Sequence, residues 1–343
     1  MFFTPLLPDD YLELIDPLWS SRELRGRIES ITRETADADT VTIRPRWVWE
    51  GHEPGQYLRV GVVVDGVHHW RAYSITSDPR RPDGFISITP KLVETGKVTP
   101  YLVRQAQPGT IVRLGGVEGT FTLPDPLPQK LLFISAGSGV TPIMSMVRDL
   151  AGRDALTDVV HAHSARTADA VIFGSELRAL ADRYGGYRLH VQRTGESGRL
   201  TPGDLDRLCP DWRERAAFLS GPGEMLDAMA AHWKTHGDAS RLHMERFQAV
   251  IGGDAQAGEG GPIAFLASGE RGSSDGSTPI LVAGEEAGVA LPFGCRMGIC
   301  HTCVGRLCSG RVRDLRTGKV SGSEGEMVRT CVSAPEGPVE IDL

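Results

Sequence analysis

The sequence predicts a multidomain chain of three parts: an antiparallel β-barrel, an α/β domain on a parallel sheet, and a small α+β domain with a cysteine loop. Three observations lead there. Short strand-like runs broken by Gly, Pro and Asp fill roughly the first 120 residues. Beyond a proline-rich hinge the pattern changes to alternating strands and helices. Five of the six cysteines fall between Cys295 and Cys331.

Composition bounds the reading. The 343 residues are 40% hydrophobic and 24% charged, ordinary for a globular protein. No apolar run reaches the length of a membrane span, and the start MFFTPLLPDD lacks a basic n-region and long h-region, so a cytoplasmic chain without a secretory signal is expected. A net charge of −7 argues against a nucleic-acid binder. Six cysteines are too few for a disulfide scaffold of this length, and their bunching points to a metal site in a reducing compartment.

The elements follow in order. Residues 1–22, with Pro5, Pro8 and Pro17, read as an arm with short helical pieces. Its Phe2, Phe3, Leu6 and Leu7 pack on the barrel or touch a membrane. Residues 23–124 hold six strands, at 24–29, 39–45, 56–64, 68–75, 84–90 and 110–115, which suits a small antiparallel barrel. After the hinge Leu123-Pro124-Asp125-Pro126-Leu127-Pro128, residues 130–247 alternate. Strands fall at 130–136, 158–164, 187–193, 216–220 and 241–247, and helices at 142–150, 168–184 and 223–235. Such alternation gives a parallel sheet covered on both faces, with ligands at the carboxyl ends of its strands. Residues 248–260 are Gly- and Ala-rich, a linker. Residues 261–343 hold a strand at 262–268, a helix near 279–288 and the cysteine loop.

The cysteine spacing carries the strongest chemistry. Four residues separate Cys295 from Cys300 and two separate Cys300 from Cys303, with Cys331 further on. This is the plant-type [2Fe–2S] spacing, and four thiolates fill the terminal positions on two irons. Gly294 and Gly298 permit close backbone approach. A four-cysteine zinc site would usually show two C-x2-C pairs, and only one is present. Cys209 and Cys308 read as small buried hydrophobes. On GCRMGICHTC and RTC, residues 261–343 resemble a plant-type ferredoxin, which implies a β-grasp fold. His301 departs from the smaller residue common there, and reads as a surface group near the cluster.

In the barrel, Arg71-Ala72-Tyr73-Ser74 closes a strand. Arg pairs with phosphate, Tyr stacks on a flavin ring, and Ser hydrogen-bonds its edge. Arg71 and Tyr73 share a face. Thr89-Pro90-Lys91 ends the next strand, and Gly96-Lys97-Val98-Thr99 precedes a helix at 100–105 with Pro100 near its first position. The combination resembles the ferredoxin–NADP reductase family. That resemblance implies FAD, with Arg71, Ala72, Tyr73 and Ser74 at the flavin, and Thr89, Lys91, Gly96, Lys97, Val98 and Thr99 around its diphosphate. Thr99 replaces the family's usual Ser, keeping the hydroxyl. FMN stays open.

In the second segment, strand 130–134 runs into Ser135-Ala136-Gly137-Ser138-Gly139-Val140-Thr141-Pro142. Gly137 and Gly139 let backbone approach a diphosphate at a helix start, with Pro142 in a first-position role. The third Gly of the usual dinucleotide fingerprint is absent, and the loop resembles the reductase family's Gly–Thr–Pro loop instead. The second strand ends Ser164-Ala165-Arg166, with no acid for a ribose hydroxyl, and Arg193 ends the third. Ser164, Arg166 and Arg193 therefore point to NADPH over NADH, the alternative being that Arg166 is a solvated surface charge. Ser220-Gly221-Pro222 resembles the family's Cys-Gly-Pro loop beneath the nicotinamide, with Ser for Cys. By the same resemblance Glu245 and Phe247 approach the flavin, and Phe247 reads equally as a core aromatic.

These parts imply an order of electron flow. Hydride from NADPH carries two electrons, a cluster accepts one at a time, and a flavin handles both. Tyr73, Ser74, Ser220, Glu245 and Phe247 are thus the catalytic candidates. The domain order is similar to reductase components of oxygenases and hydroxylases. The opening PLLPDDYLELIDPLWS and HWRAYS resemble actinobacterial reductases that feed membrane acyl-CoA desaturases. That implies a desaturase or other oxygenase as electron acceptor, with peripheral association at a membrane partner. Rieske or diiron ring hydroxylases and a cytochrome P450 are other acceptors. A self-sufficient reductase of an organic substrate and a non-catalytic iron–sulfur redox sensor are readings of other classes.

Overall fold

The computed structural model describes residues 15–20, 23–46, 49–64, 66–93, 96–247, 258–293, 298 and 301–343. Most of the arm, the linker residues 248–257, Cys295 and Cys300 lie outside the described residues. The chain forms two compact units. Up to residue 245 all but 69–72 belong to the first, and 69–72 with the residues from 246 on belong to the second.

The first unit opens with six antiparallel strands: β1 (Leu24–Thr35), β2 (Ala38–Pro45), β3 (Tyr57–Val64), β4 (Val67–Ser74), β5 (Ile86–Ile88) and β6 (Ile111–Glu118). Their order is β4-β3-β6-β1-β2-β5, and a bridge between Ile75 and Ile88 joins the two ends into the expected barrel. Alternation along the strands fills the interior with Ile28, Val41, Ile43, Leu58, Val60 and Leu114. Each such side chain contributes about 1.5–3 kcal/mol on burial. Helix α1 (Val98–Arg104) packs Val98 and Leu102 into the same core. It begins two residues earlier than the proline suggests. Pro100 takes the third position, still within the first turn where a missing N–H costs nothing.

The same unit continues with the parallel strands β7 (Leu131–Ala136), β8 (Val159–Ala165), β9 (Tyr187–Arg193), β10 (Ala216–Ser220) and β11 (Leu242–Glu245), ordered β11-β10-β7-β8-β9. Every residue of β8 and β10 is buried, as expected of a sheet covered on both faces. One face carries Leu131, Phe133 and Phe218 against Ile143 and Val147 of α2 (Val140–Gly152). The other carries Leu132, Ile134 and Leu219 against Trp212 and residues of α4 (Gly223–His236), which follows α3 (Gly174–Arg183). The helix expected at 168–184 is broken. A short turn at Ala168–Ala170 precedes α3, because Phe173 takes a left-handed φ of 60° and donates its N–H to Glu34 Oε2 at 3.2 Å. Pro142 is again the third residue of its helix, not the first.

In the second unit, β12 (Gly261–Phe265), β13 (Glu270–Ser274), β14 (Val304–Ser309), β17 (Met327–Arg329) and β19 (Val339–Asp342) form a mixed sheet ordered β13-β12-β19-β14-β17. Helix α5 (Ile280–Glu286) packs Ile280 and Leu281 on it, with Phe265 and Ile341. A smaller sheet joins β15 (Val312–Asp314), β16 (Val320–Ser321) and β18 (Ser333–Pro335). Among the described residues no helix is long and apolar enough to cross a membrane.

Candidate functional site

The barrel brings two distant sequence motifs together. The Tyr73 hydroxyl lies 2.9 Å from Thr99 Oγ1, so the end of β4 and the start of α1 meet across 26 residues. Ser74 beside it is buried. Gly96, whose N–H donates to Val93 O at 3.0 Å, and Lys97 line a cavity of about 320 Å³ with Val63, Pro100 and Tyr101. A cation, an aromatic ring and aliphatic walls suit part of a nucleotide cofactor. Lys91 Nζ sits 3.4 Å from Asp37. Thr89 turns inward instead: its hydroxyl lies 3.0 Å from Thr40 Oγ1 and 3.4 Å from Thr76 Oγ1, and it is buried. Arg71, Ala72 and Phe247 fall in the second unit and are half-buried.

At the carboxyl ends of the parallel strands the glycines are required by space. Gly137 has φ +54°, and a Cβ on Gly139 would come within 2.1 Å of Ser220 O. A Cβ on Gly221 would meet Met225 Cε at 2.6 Å. The loops after β7 and β10 thus touch through backbone. Thr141 Oγ1 donates to Ser138 O at 2.9 Å, fixing the turn. Pro222 sets the start of α4. Ser220 is fully buried, and its hydroxyl has no partner among the described residues. Burial pushes the Glu245 carboxyl up to about 7. Ser164 is buried at the end of β8. Arg166 is exposed, while Arg193 pairs with Glu196 at 3.0 Å.

Of the four cysteines, Cys303 and Cys331 are described, and both are buried. The Gly298 N–H donates to Cys331 Sγ at 3.2 Å, and Gly298 O accepts from Arg329 Nη1 at 2.9 Å. Gly298 has φ +72°, and a Cβ there would meet Val332 Cγ2 at 2.6 Å. A backbone N–H held on a thiolate by a glycine that nothing larger can replace fits a cluster cradle. Thr330 binds Cys303 O through its N–H and its hydroxyl. Cys209 is buried with its thiol pushed up to about 12 by burial, as an inert core residue should be. Cys308, expected to be buried, is only half-buried near the end of β14, because its strand lies against solvent there. His301 is exposed with φ 57°.

The sequence reading missed a buried polar line. Ser135 Oγ lies 2.8 Å from both His161 Nε2 and His163 Nδ1, and His161 Nδ1 lies 2.7 Å from the Tyr187 hydroxyl. The signal was available: two histidines alternate on one face of a strand that should be wholly apolar. It also missed Arg148, which binds Glu176 through two nitrogens and the barrel's Thr76 O through a third.

Fold and site together define an oxidoreductase with flavin, nicotinamide and iron–sulfur modules in one chain. Three family models match in that order: an oxidoreductase FAD-binding domain over residues 39–123, an oxidoreductase NAD-binding domain over 133–230, and a 2Fe-2S iron-sulfur cluster binding domain over 270–336. An NADPH oxidoreductase of Mycobacterium tuberculosis is 49% identical, over 99% of this chain and 90% of its own. A glycine betaine monooxygenase reductase subunit of Pseudomonas aeruginosa is 31% identical over 94% and 96%. The solved structure of phthalate dioxygenase reductase shares the fold at TM-score 0.61, with 20% identity over 94% of this chain and 98% of that one. The chain belongs to the ferredoxin-reductase-type family of NAD(P)H-dependent oxidoreductases, with FAD, a 2Fe-2S cluster and NAD(P)H as cofactors.

Proposed function

We propose that this protein takes hydride from NADPH and delivers single electrons to an oxygen-activating partner. The observation that carries the reading is the coexistence, in one chain, of the Tyr73–Thr99 flavin lock, the glycine loops of the parallel sheet and the Gly298–Cys331 thiolate cradle. The flavin supplies the exchange between two-electron and one-electron chemistry; the chain supplies position. Arg71, Ala72, Tyr73 and Ser74 border the flavin, and Lys91, Gly96, Lys97, Val98 and Thr99 hold its phosphates. The inward-turned hydroxyl of Thr89 supports that loop from behind. Gly137, Ser138, Gly139, Thr141 and Pro142 receive the nicotinamide dinucleotide, with Gly221, Pro222 and Ser220 beneath its reacting ring. Glu245 holds a proton at that end, and Phe247 covers the flavin. Cys295, Cys300, Cys303 and Cys331 bind the cluster. The domains are those given by the sequence, at 23–124, 130–247 and 261–343, with a linker at 248–260.

NADPH is favoured by exposed Arg166 and supported by the M. tuberculosis relative, which is named for NADPH. An oxygenase-type acceptor is supported by relatives named as monooxygenase reductase subunits. Within that class we take a membrane acyl-CoA desaturase, on the resemblance of the opening segment and HWRAYS. A Rieske or diiron hydroxylase is the second reading, because of the glycine betaine and ketosteroid relatives. Reconstitution decides. NADPH, this protein and a stearoyl-CoA desaturase in vesicles should form the double bond, with NADPH consumed in step. Turnover only with a Rieske oxygenase would move the assignment to the second reading, and NADPH oxidation that needs no acceptor protein would remove both.

A further inference from the structure

Helix α2 begins within the glycine loop at 137–142 and buries two unlike faces. Ile143, Val147 and Leu150 pack in the apolar core on the sheet. Ser145, Arg148, Asp149 and Gly152 fall on another stripe, since residues three, four and seven apart are neighbours on a helix. Each member of that stripe meets one short piece of the barrel, residues 76–80. Ser145 Oγ donates to Ser77 O at 3.1 Å, and Arg148 Nη1 donates to Thr76 O at 2.6 Å. Arg80 Nη2 donates to Asp149 O at 2.6 Å, and Arg80 Nε lies 3.2 Å from the Asp149 carboxylate. A Cβ on Gly152 would come within 2.7 Å of Asp78 Oδ2. Ser145 and Asp149 are both buried. An apolar seam of the same shape would hold the helix on the barrel about as firmly. What hydrogen bonds add is direction, because they fix one register where apolar surfaces can slide.

Both sides of this polar seam are held from behind. In the barrel, the Thr76 N–H donates to Ser87 O at 2.7 Å and the Ile75 N–H to Gln56 O at 2.9 Å. The Thr76 hydroxyl lies 2.8 Å from Ser87 Oγ and 3.4 Å from Thr89 Oγ1. On the helix, Arg148 donates to Glu176 at 2.8 and 2.6 Å, with its guanidinium 4.9 Å from the centre of the Phe173 ring. The seam is also close in the chain to both proposed coenzyme sites. Ser145 stands one helical turn beyond Thr141, about 6 Å along the axis. Ser77 stands three residues beyond Ser74, at most about 10 Å of extended chain. Two side-chain hydrogen bonds thus join the end of the flavin strand to the helix that opens at the glycine loop.

We propose that Ser145 and Arg148 are positioning residues for hydride transfer, which bind α2 to Thr76 and Ser77 and so set how the glycine loop stands against the flavin strand. Asp149 with Arg80 anchors the far end of the same helix. Ser145 and Arg148 act through the elements they join. Alignment is what they supply, because reacting centres must be held about 3–3.5 Å apart and a misplacement of about 1 Å costs on the order of a hundredfold in rate. The inference deepens the proposed function. It rests on the reading that Tyr73 and Ser74 border the flavin and that residues 137–142 receive the nicotinamide dinucleotide.

The test uses the full-length holoprotein, mixed anaerobically with NADPH in a stopped-flow spectrometer. Ser145→Ala and Arg148→Met each remove one bond to the barrel and keep a good helix former. In each, the limiting rate of flavin reduction should fall about tenfold, while the NADPH concentration that gives half that rate stays within about twofold. Arg148→Lys, which can still donate to Thr76 O, should recover most of the rate. Glu176→Gln, which leaves the bond to Thr76 in place, should keep the natural rate. Other readouts separate alignment from damage. FAD content should not change. Cytochrome c reduction by flavin photoreduced with EDTA needs no nicotinamide and should keep its natural rate. The charge-transfer absorbance of NADP⁺ on the reduced flavin, which reports overlap of the two rings, should weaken in both variants. Limiting rates within about twofold of natural in Ser145→Ala and Arg148→Met overturn the proposal and leave the reductase reading intact. An equal fall in the light-driven rate also overturns it, since that marks a general loss of structure. Failure of NADPH to reduce the flavin of the natural protein overturns the reading on which the proposal rests.

Discussion

The Tyr73 hydroxyl sits 2.9 Å from Thr99 Oγ1, and through that contact the strand that ends in Ser74 is tied to the helix start that follows Gly96. One hydrogen bond thus sets the distance between the residues proposed to stack on the flavin ring and those proposed to hold its phosphates. Tyr73→Phe keeps the ring and removes the link. A hydrogen bond of this kind is worth about 0.5–1.5 kcal/mol net. FAD affinity should therefore fall by about 2–12-fold, read as flavin fluorescence released on dilution. Thr99→Ala should match it, Thr99→Ser should restore binding, and a double variant no weaker than either single would confirm that the two act as one unit. Retention of FAD at the natural level in both single variants would refute the link.

Gly298 is the second sensitive point. Its φ of +72° and the 2.6 Å approach to Val332 Cγ2 leave no room for a methyl group, and Val332 is fully buried. Gly298→Ala should strain the loop by about 1–3 kcal/mol and shift the N–H from Cys331 Sγ. Iron and acid-labile sulfide per chain should drop, and the reduced-cluster electron paramagnetic resonance signal with them. Flavin content should stay at one per chain. Full iron content with an unchanged signal would show that the thiolate does not need that N–H.

The proposed preference for NADPH places coenzyme choice on Arg166 and not on Arg193. Arg193 is held by Glu196 at 3.0 Å, whereas Arg166 is exposed at the end of β8 and its backbone oxygen accepts the Gly195 N–H at 3.1 Å. A charge-assisted bond to a phosphate contributes about 1.5–3 kcal/mol. Arg166→Ala should lower kcat/KM for NADPH by about 10–150-fold and leave NADH within about threefold, whereas Arg193→Ala should change the ratio far less. Equal losses with both coenzymes would make Arg166 a structural residue.

Much of this was legible in the sequence, for definite reasons. A buried central strand is a continuous apolar run and an edge strand alternates, so Ala216–Ser220 and Tyr187–Arg193, with Tyr187, Leu189 and Val191 at every second position, both stand where the pattern puts them. The cysteine spacing is set by cluster geometry and needs no tertiary information. The helix break at Phe173 was not legible, because its cause is Glu34, 139 residues away in the barrel. Both prolines were placed too early in their helices, since the first three helical N–H groups are free and any of those positions accepts proline. Thr89 looked like a ligand because a hydroxyl at a strand end reads the same whether it faces out or in. That Glu245, Ser220, Ser135 and His163 stand side by side in a row across four parallel strands was not legible either, because strand register alone fixes it.

Two members of that row should leave opposite marks on stability. Burial lowers His163 from 6.5 to about 4, so its neutral form favours folding above 6.5, and that contribution is lost as pH falls toward 4. The size is about 3 kcal/mol, and His161 adds to it in the same direction. Glu245 is raised from 4.5 to about 7, so its contribution is complete below 4.5 and is lost as pH rises through 7. Half-burial reduces it to about 2 kcal/mol. Between 4.5 and 6.5 the two slopes oppose each other and flatten the natural protein's profile. Glu245→Gln should remove the falling limb, so that stability climbs steeply from pH 4.5 to 6.5 and then holds level. His163→Gln should weaken the rising limb and shift the optimum toward acid. Thermal release of FAD fluorescence, followed on the full chain from pH 4.5 to 8, reads both slopes. Parallel profiles for the two variants would mean that neither group titrates from the buried state the fold gives it.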